Sequence, residues 1–492
     1  MSILHTRRIT QVFFVLLFLW FCLVSTIGDH WIQLRGWPVN WFLQLDPLVG
    51  LGTLLATHTL YAGLLWGVAT LVVTLFVGRF FCGWLCPLGA LQQVAGWLGR
   101  RSARFAARRA QNQYHPAQAI KYYLLIALLA AAGLGVLQTG LLDPIPLVQR
   151  SINFLLLGGL AQPGARFYAG AGAVAVVFLA ILLSCLWVPR FYCRFICPLG
   201  AFFGFLVRWT PWRIRKRQPE CTECGLCEAD CEGACEPFGK IRLSECLLCL
   251  NCLKPCRQDQ MTYGTNRSAA GEVPAPGLNR RGFFASAVAG LAIPPVLRLN
   301  GTLDRDWRAA VVRPPGALAE PEFLQRCIKC GQCMRICPTN TIQPALGQAG
   351  WEGLWTPILN FRVGSSGCQL NCIACGNVCP TAALRPLSLD EKLGRGLFAQ
   401  TGPIRLGTAF IDRSRCLPWA MDLPCIVCQE NCPVSPKAIV LRQEGTLQKP
   451  YVDPARCIGC GICEHECPVS GLRAIRVTAE NESRTRSHRL LT

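Results

Sequence analysis

The stretch GRFFCGWLCPLGAL occupies residues 78–91, and PRFYCRFICPLGAF repeats its pattern at residues 189–202. Both copies follow a long apolar run, and both place Cys-x-x-x-Cys-Pro-Leu-Gly-Ala at its end. The sequence LQLDPLVG precedes the first run, and LLDPIPLV precedes the second. This repeat predicts a duplicated helical unit, in which corresponding ends of the two copies meet near a pseudo-twofold axis.

Four apolar stretches are long enough to cross a hydrocarbon core of about 30 Å. Their only charged residue is Lys121, and they cover roughly residues 9–28, 59–78, 119–141 and 167–188. The connection from Arg79 to Lys121 carries seven Lys or Arg residues and no acid, as does the stretch from Arg190 to Pro219. The positive-inside rule therefore predicts that the N-terminus and both basic segments lie in the cytoplasm.

The chain as a whole is basic, and the excess belongs mainly to its apolar part. Residues 1–300 hold 27 Lys or Arg against 12 Asp or Glu, whereas residues 301–492 hold 22 against 16. Because these charges flank hydrophobic stretches, they predict contact with anionic lipid and no nucleic-acid partner.

The two repeated motifs supply candidate catalytic residues at both ends of each unit. The duplication would gather four thiols on the cytoplasmic side, which favours a redox or metal role over simple burial of small side chains. The preceding Leu-Asp-Pro sequences predict helix N-caps, or carboxylates that accept protons at the outer membrane face. The candidates are Cys82, Cys86, Cys193, Cys197, Asp46 and Asp143.

Most of the 31 cysteines fall into six groups of four after residue 212. The groups are Cys221, Cys224, Cys227 and Cys231; Cys246, Cys249, Cys252 and Cys256; Cys327, Cys330, Cys333 and Cys337; Cys368, Cys372, Cys375 and Cys379; Cys416, Cys425, Cys428 and Cys432; and Cys457, Cys460, Cys463 and Cys467.

The spacing C-x2-C-x2-C-x3-C, often followed by Pro, is that of bacterial ferredoxins. Two groups depart from it at their first interval, which is x3 after Cys368 and x8 after Cys416, and all six predict 4Fe-4S clusters with these 24 ligands. Zinc sites more often pair two short knuckles, and such dense periodic spacing argues against a disulfide framework. In two-cluster ferredoxins the fourth Cys of each run binds the other cluster. Cys256 would therefore bind the cluster of the first group, and Cys231 would bind the cluster of the second group. Cys235 is an alternative to Cys231 in that role. The four distal groups can exchange their fourth cysteines in two ways. Neighbours can pair, first with second and third with fourth, or the groups can pair in a nested order, first with fourth and second with third.

A twin-arginine pattern separates the two cysteine-rich regions. Arg280 and Arg281 precede Phe283, Phe284 and an uncharged run that ends at Leu297, which is short for an ordinary span. The pattern predicts export of the distal part after cofactor insertion, with a cytoplasmic linker or buried helix as the alternative. The predicted domains are a four-span membrane domain (1–212), a cytoplasmic two-cluster domain (213–275), a signal or anchor segment (276–300) and a periplasmic four-cluster domain (301–492).

Residues 1 to about 265 resemble the NapH family of membrane ferredoxins, and residues 279–492 resemble the NapG and MauM families of periplasmic polyferredoxins. The fold class expected is an α-helical membrane domain of four spans, arranged as a duplicated helical hairpin, followed by α+β ferredoxin-like 4Fe-4S domains. A further hypothesis places an additional iron–sulfur cluster on the four motif cysteines of the membrane domain.

The resemblance implies a quinol dehydrogenase of the bacterial inner membrane. Such a protein takes electrons from the quinone pool and passes them to a periplasmic cytochrome or terminal reductase. The alternative function is an iron–sulfur regulatory or assembly protein, which would supply electrons for maturation of a periplasmic or membrane metalloenzyme.

Overall fold

The computed structural model describes residues 3–24, 39–59, 61–101, 104–156, 166, 168–218, 224–256, 259–298 and 311–484. The chain forms two compact units. The first contains Met1–Cys22, Asn40–Ser151 and Gly172–Pro295, and the second contains Leu23–Val39, Ile152–Ala171 and Val296–Thr492. The passage from the first unit to the second near residue 295 falls inside the predicted 276–300 segment.

Helices dominate the first 212 residues, here called the helical module. Its helices are α1 Ile3–Val24, α2 Trp41–Gln44, α3 Pro47–Thr57, α4 Trp66–Val77, α5 Pro87–Arg100, α6 Phe105–Gln111, α7 Ile120–Gly133, α8 Thr139–Leu142, α9 Pro144–Ser151, α10 Ala171–Trp187, α11 Phe191–Phe195 and α12 Pro198–Leu206. Short 3-10 turns cover Ala62–Leu65, Pro116–Ala119 and Val207–Trp209, and π-helical turns cover Phe81–Leu85 and Ile152–Leu156.

Proline starts a helix at each end of each repeat. Helices α3 and α9 begin directly after the Asp residues of the Leu-Asp-Pro sequences, and α5 and α12 begin directly after the second Cys of each repeated motif. Proline suits the first helical position, because the N–H group that it lacks would have no partner there. Each repeat therefore also contains a short helix before its second long apolar stretch, an element that the predicted hairpin did not include.

Two helical stretches of the described chain have the length and apolar composition to cross a membrane, Ile3–Val24 and Phe105–Gly133. The other two predicted spans form the shorter apolar stretches Ala62–Val77 and Ala171–Trp187. At 1.5 Å per residue these extend about 24–26 Å, slightly less than a hydrocarbon core of about 30 Å. Large apolar side chains on them are exposed, including Val72, Phe76, Val176 and Leu183, as expected for surfaces that face lipid.

The twin-arginine segment forms a single helix, α14, from Arg280 to Arg298. Its buried residues are Ser286, Gly290 and Pro294, which lie four residues apart along one face. A Cβ atom on Gly290 would come within 2.4 Å of the Ala127 carbonyl oxygen, so the backbones of α14 and α7 approach closely. Close packing through small residues is a common form of helix contact in membranes.

The cysteine-rich regions consist of short helices, loops and two-stranded sheets. The helices are α13 Leu226–Ala229, α15 Glu320–Arg326, α16 Gln332–Ile336, α17 Ala374–Asn377, α18 Leu389–Leu393, α19 Leu417–Ala420, α20 Val427–Glu430 and α21 Ile462–Glu466, with 3-10 turns at Leu243–Glu245 and Gly396–Phe398. The strands are β1 Arg213–Lys216, β2 Ile241–Arg242, β3 Met261–Gly264, β4 Glu272–Val273, β5 Ile342–Pro344, β6 Pro357–Leu359, β7 Thr408–Ile411, β8 Ile439–Glu444, β9 Leu447–Val452 and β10 Ile475–Thr478.

The sheets join strands that flank the cysteine groups. Strand β1 pairs with β3, β5 with β6, β7 with β10 and β8 with β9, all antiparallel, whereas β2 pairs with β4 in parallel. In the β7–β10 pair, Thr408 lies opposite Thr478, so the sheet closes around the third and fourth distal groups. The described chain is thus mostly helical with short strands, in agreement with the predicted class at this level.

Candidate iron–sulfur and thiol sites

The cysteines of the distal region, residues 301–492, surround four separate cavities. Each cavity is lined by three cysteines of one group and the last cysteine of the neighbouring group. The four sets are Cys327, Cys330, Cys333 and Cys379; Cys337, Cys368, Cys372 and Cys375; Cys416, Cys425, Cys428 and Cys467; and Cys432, Cys457, Cys460 and Cys463. The structure therefore pairs the first distal group with the second and the third with the fourth, and it excludes the nested order.

Glycines in left-handed conformations shape these cysteine loops. Gly331 has φ +79° and precedes the helix that carries Cys333, and Gly461 has φ +75° and precedes the helix that carries Cys463. A Cβ atom on Gly461 would come within 2.0 Å of the Phe361 ring. An L side chain would be strained at this φ as well as obstructed, so glycine allows the loop to turn between its second and third cysteines.

The chemistry of the four cavities fits iron held by thiolates. Their linings contain no Asp, Glu or His side chain beside the cysteines, and sulfur donors of this kind select iron–sulfur clusters or other soft metals. Burial raises the pKa of Cys428 and Cys460 to about 12. Metal binding must therefore displace the thiol protons. Among the described residues, no three His, Cys, Asp or Glu side chains could together hold a single metal ion, whereas a 4Fe-4S cluster takes only one protein thiolate at each iron.

The two proximal cysteine groups, between residues 213 and 275, are described only in part. Cys231 interacts electrostatically with Cys246, Cys249 and Cys252, which is the predicted exchange of the fourth cysteine. The Cys235 thiol lies 3.4 Å from the Cys231 thiol, so the predicted alternative ligand is next to the same site. Of the partner group, Cys224 is exposed, Cys227 and Cys256 are partly buried, and Cys221 lies outside the described residues.

A proximal cysteine loop rests directly on the first repeated motif of the helical module. A Cβ atom on Gly83 would come within 2.2 Å of the Leu247 carbonyl oxygen. The indole Nε1 of Trp84 donates a hydrogen bond to the carbonyl of Leu248 over 3.0 Å. Gly83 lies between the two cysteines of its motif, so this close backbone contact brings the loop of Cys246 and Cys249 to the motif thiols.

Glu232 joins the proximal domain to the helical module through a buried network of arginines. Its carboxylate pairs with Arg190 at 2.9 Å, Arg7 at 3.2 Å and Arg100 at 3.9 Å. Burial alone would raise the pKa of Glu232, but the three guanidinium groups lower it to about 2. Removing one partner from such a buried network typically lowers stability by about 3–5 kcal/mol. The Glu232 carboxylate therefore holds the proximal domain firmly against the helical module.

The four thiols of the repeated motifs converge, as the duplication predicts. Cys197 interacts electrostatically with the other three, and Cys86 interacts with Cys82 and Cys193. We call this group, Cys82, Cys86, Cys193 and Cys197, the four-thiol centre. Three of its members are buried and Cys82 is half-buried. Cys82 lies in the π-helical turn Phe81–Leu85, a form of backbone that often occurs at functional sites.

Asp46 and Asp143 meet at the other contact between the repeats. The Asp46 carboxylate accepts a hydrogen bond from the backbone N–H of Leu48 over 2.9 Å, and Asp143 accepts one from Ile145 over 3.4 Å, so both cap helices. Their Oδ2 atoms are buried and accept no hydrogen bond from any other described residue. The two carboxyl groups lie close enough to hydrogen-bond to each other, which requires a proton between them.

The carboxyl pair packs against α4, and its predicted position at the outer membrane face stays a prediction. The hydroxyl of Thr70, near the middle of α4, donates to the carbonyl of Leu45 over 2.8 Å. A Cβ atom on Gly67 would lie 3.1 Å from Cα of Pro47. The pair therefore lies against the N-terminal half of α4, because α3 folds back against α4 and carries Asp46 with it.

Several buried side chains around these sites were missed by sequence reasoning. Arg79 and Arg190 occupy the same position in the two repeats, three residues before the first cysteine, so the repeat itself was a usable signal. Glu232 follows Cys231 directly, and nothing in its local sequence separates it from other acidic residues of the ferredoxin loops.

Comparisons with known proteins agree with the cysteine chemistry. One family described as a 4Fe-4S binding domain matches residues 59–105 and 170–217, which contain the two repeated motifs. A second family of the same description matches residues 324–343 and 450–473. No solved structure matches the chain significantly.

Three relatives illustrate the range of similar proteins. The methylamine utilization ferredoxin-type protein MauM of Methylophilus methylotrophus is 35% identical over 214 residues, which are 41% of this chain and 87% of the relative. The ferredoxin-type protein NapG of Escherichia coli is 34% identical over 32% of this chain and 65% of its own. The regulatory protein NosR of Pseudomonas aeruginosa is 34% identical over 46% of this chain and 27% of its own.

The predicted resemblance to MauM is confirmed by these matches, whereas the resemblance of residues 1–265 to NapH stays a prediction. Three observations indicate an iron–sulfur protein related to MauM. They are the paired four-cysteine cavities, the converging repeated motifs and the match to 87% of the length of MauM. The chain belongs to the family of ferredoxin-type iron–sulfur electron transport proteins that includes MauM.

Proposed function

We propose that this protein is a membrane-bound quinol dehydrogenase, which transfers electrons from the quinone pool to a periplasmic cytochrome or terminal reductase. The observation that carries the proposal is the convergence of four thiols, in the helical module, directly beneath a ferredoxin loop. When bound, iron–sulfur clusters supply one-electron carriers, so they can accept the two electrons of a quinol singly and pass them on.

Six 4Fe-4S clusters would be held by the 24 cysteines of the ferredoxin domains, with four of the ligand sets as the distal cavities are lined. Cys231, Cys246, Cys249 and Cys252 would hold a fifth, and Cys221, Cys224, Cys227 and Cys256 a sixth. The four-thiol centre would hold an additional cluster. The Asp46–Asp143 pair, buried beside α4, would receive protons released by quinol at its Oδ2 atoms.

The contacts within each compact unit support the proposed inner-membrane topology. In the first unit, Arg109 pairs with Glu228, so a predicted cytoplasmic loop contacts the predicted cytoplasmic ferredoxin domain. In the second unit, the Tyr168 hydroxyl donates to the carbonyl of Met334 over 3.3 Å. Tyr168 lies at the start of the fourth apolar stretch, on its predicted outer side, and Met334 belongs to the predicted periplasmic domain.

The proposal is tested with the full chain in liposomes under anaerobic conditions. A reduced quinol analogue should bleach the clusters and generate their EPR signals, and an added c-type cytochrome should then reoxidise them. Dithionite serves as the control for total reducible clusters. If dithionite reduces the clusters but the quinol analogue does not, the protein is no quinol dehydrogenase.

The alternative, an electron supplier for maturation of a metalloenzyme, is favoured by the similarity to a protein named as regulatory, NosR. In that case quinol would reduce the clusters, but cytochrome would not reoxidise them. Reoxidation by a metalloenzyme precursor, with a gain in its activity, would distinguish this role from respiratory electron transfer.

The exchange of ligands between distal groups leads to a specific expectation. Replacing Cys467 with serine should remove the same EPR component as Cys425→Ser, because both thiols line one cavity. Cys463→Ser is the matched control, since Cys463 belongs to the same sequence group as Cys467 but lines another cavity. If Cys467→Ser and Cys463→Ser removed the same component, the ligands would follow the sequence groups and the exchange would be wrong.

A further inference from the structure

An arginine repeated in the two motifs crosses from each repeat to the other. Arg79 and Arg190 stand three residues before Cys82 and Cys193, and both are fully buried. A Cβ atom on Gly200, in the second repeat, would come within 2.8 Å of Nη2 of Arg79. A Cβ atom on Gly89, in the first repeat, would come within 3.3 Å of Nη1 of Arg190. Both guanidinium groups therefore lie where the repeats meet.

The two arginines differ in how their donors are used. Arg190 donates from Nε to Glu232 over 2.9 Å, from Nη1 to the carbonyl of Cys82 over 3.1 Å and from Nη2 to Gln93 over 2.9 Å. Arg79 donates from Nη1 to the carbonyl of Ser244 over 2.7 Å. Its Nε and Nη2 are buried without a hydrogen-bond partner among the described residues.

Unpaired donors on a buried cation cost free energy, so we expect a hydrogen-bond acceptor beside Arg79. Each buried donor left without a partner costs about 1–3 kcal/mol, and more on a charged group. The obvious carboxylate nearby, Glu245, is occupied, because it pairs with Lys121 and accepts a hydrogen bond from Tyr122 over 2.9 Å. The acceptor for Nε and Nη2 of Arg79 must therefore be a group other than Glu245.

The free side of Arg79 faces the four-thiol centre. The position that a Cβ atom on Gly200 would take lies 2.8 Å from Nη2 of Arg79 and 3.3 Å from Sγ of Cys197. Arg79 also interacts electrostatically with Cys82. The guanidinium group and thiols from both repeats thus border one small region, which stays open because residue 200 has no side chain.

We propose that Nε and Nη2 of Arg79 donate hydrogen bonds to sulfur atoms of the iron–sulfur cluster held by the four-thiol centre, and that they raise its reduction potential. This inference rests on the additional cluster in the proposed function. Four thiolates give such a cluster a net negative charge, and each electron accepted adds to it. A fixed cation with two donors favours the reduced form. Arg190, whose donors are used within the protein, keeps a positioning role for Glu232 and the first motif.

The test uses the full-length protein in detergent or liposomes, with iron and sulfide content and EPR-monitored redox titration as readouts. Arg79→Gln should leave iron content unchanged and shift one centre, the one absent from a variant with all four motif cysteines replaced, to lower potential. Arg79→Lys should restore part of the potential, because it keeps the charge. Arg208→Gln, which replaces an arginine near the end of α12, is the matched control and should leave the potential unchanged.

Gly200→Ala provides a second variant that keeps the guanidinium group. Its Cβ atom would displace Nη2 of Arg79, so the same centre should shift in the same direction. If wild-type protein contains no iron beyond six clusters, the additional cluster of the proposed function is wrong. If that cluster is present but its potential is unaffected by Arg79→Gln and Gly200→Ala, the role of Arg79 is overturned. The signals of the other six clusters report in every variant that the chain has folded.

Discussion

Replacing Cys82, Cys86, Cys193 and Cys197 together with serine is expected to abolish quinol oxidation and to remove one cluster's iron from the protein. The two repeats bring the four thiols together in the structure, and four thiolates would supply the full ligand set of one cluster. Activity should fall by more than about 100-fold, since loss of even an outer-shell partner of a metal centre costs about 10–100-fold. The measurements are iron and sulfide content, EPR spectra and the rate of cluster reduction by a quinol analogue.

The control for the thiol replacement is a variant in which Cys22 and Cys185 are changed to serine. Both are buried cysteines of the helical module that stand outside the repeated motifs, so this variant should keep both its iron and its activity. Unchanged iron and spectra with lost quinol oxidation would mean that the four thiols act without a cluster. If the quadruple variant kept its activity, the four motif cysteines would serve only in helix packing.

Asp46→Asn and Asp143→Asn are each expected to slow quinol oxidation by about 10²–10⁴-fold, the range typical of a lost acid–base group. Asparagine caps helices as well as aspartate does, so α3 and α9 should be retained. The double variant should be little slower than either single variant, because the two carboxyl groups share a hydrogen bond and act as one unit. The rate of quinol-driven cluster reduction and the iron content are the two readouts.

Alanine substitutions separate proton transfer from helix capping at the same positions. Asp46→Ala and Asp143→Ala should lose activity as the asparagine variants do and should also lose about 1 kcal/mol of stability from the missing cap. If the asparagine variants matched wild type and only the alanine variants were impaired, the carboxylates would serve as caps alone. Additive losses in the asparagine double variant would contradict a shared proton.

The local features of this protein were predictable because short-range spacing determines them. Three cysteines at x2 intervals form a chelating loop in four of the six groups, and the other two groups keep the x2 and x3 spacing of their last three cysteines, so all six were visible in the sequence. Proline next to Asp or Cys places helix starts at Pro47, Pro87, Pro144 and Pro198 in the structure, since its missing N–H is tolerated only in the first turn. Duplication also predicted that the four motif thiols would converge.

Packing of residues distant in sequence decided the pairing of the cysteine groups, the position of the carboxyl pair and the partners of the two repeated arginines. The last cysteine of each distal group enters its neighbour's cavity because the chain folds back between groups, and spacing alone allowed either pairing. The carboxyl pair of Asp46 and Asp143 lies against the N-terminal half of α4 because α3 folds back against it, a contact that hydropathy does not encode. The same sequence position in two repeats became an Arg190 with a partner for each side-chain nitrogen and a partly unpaired Arg79, because Glu232, which accepts from Arg190, comes from a third segment of the chain.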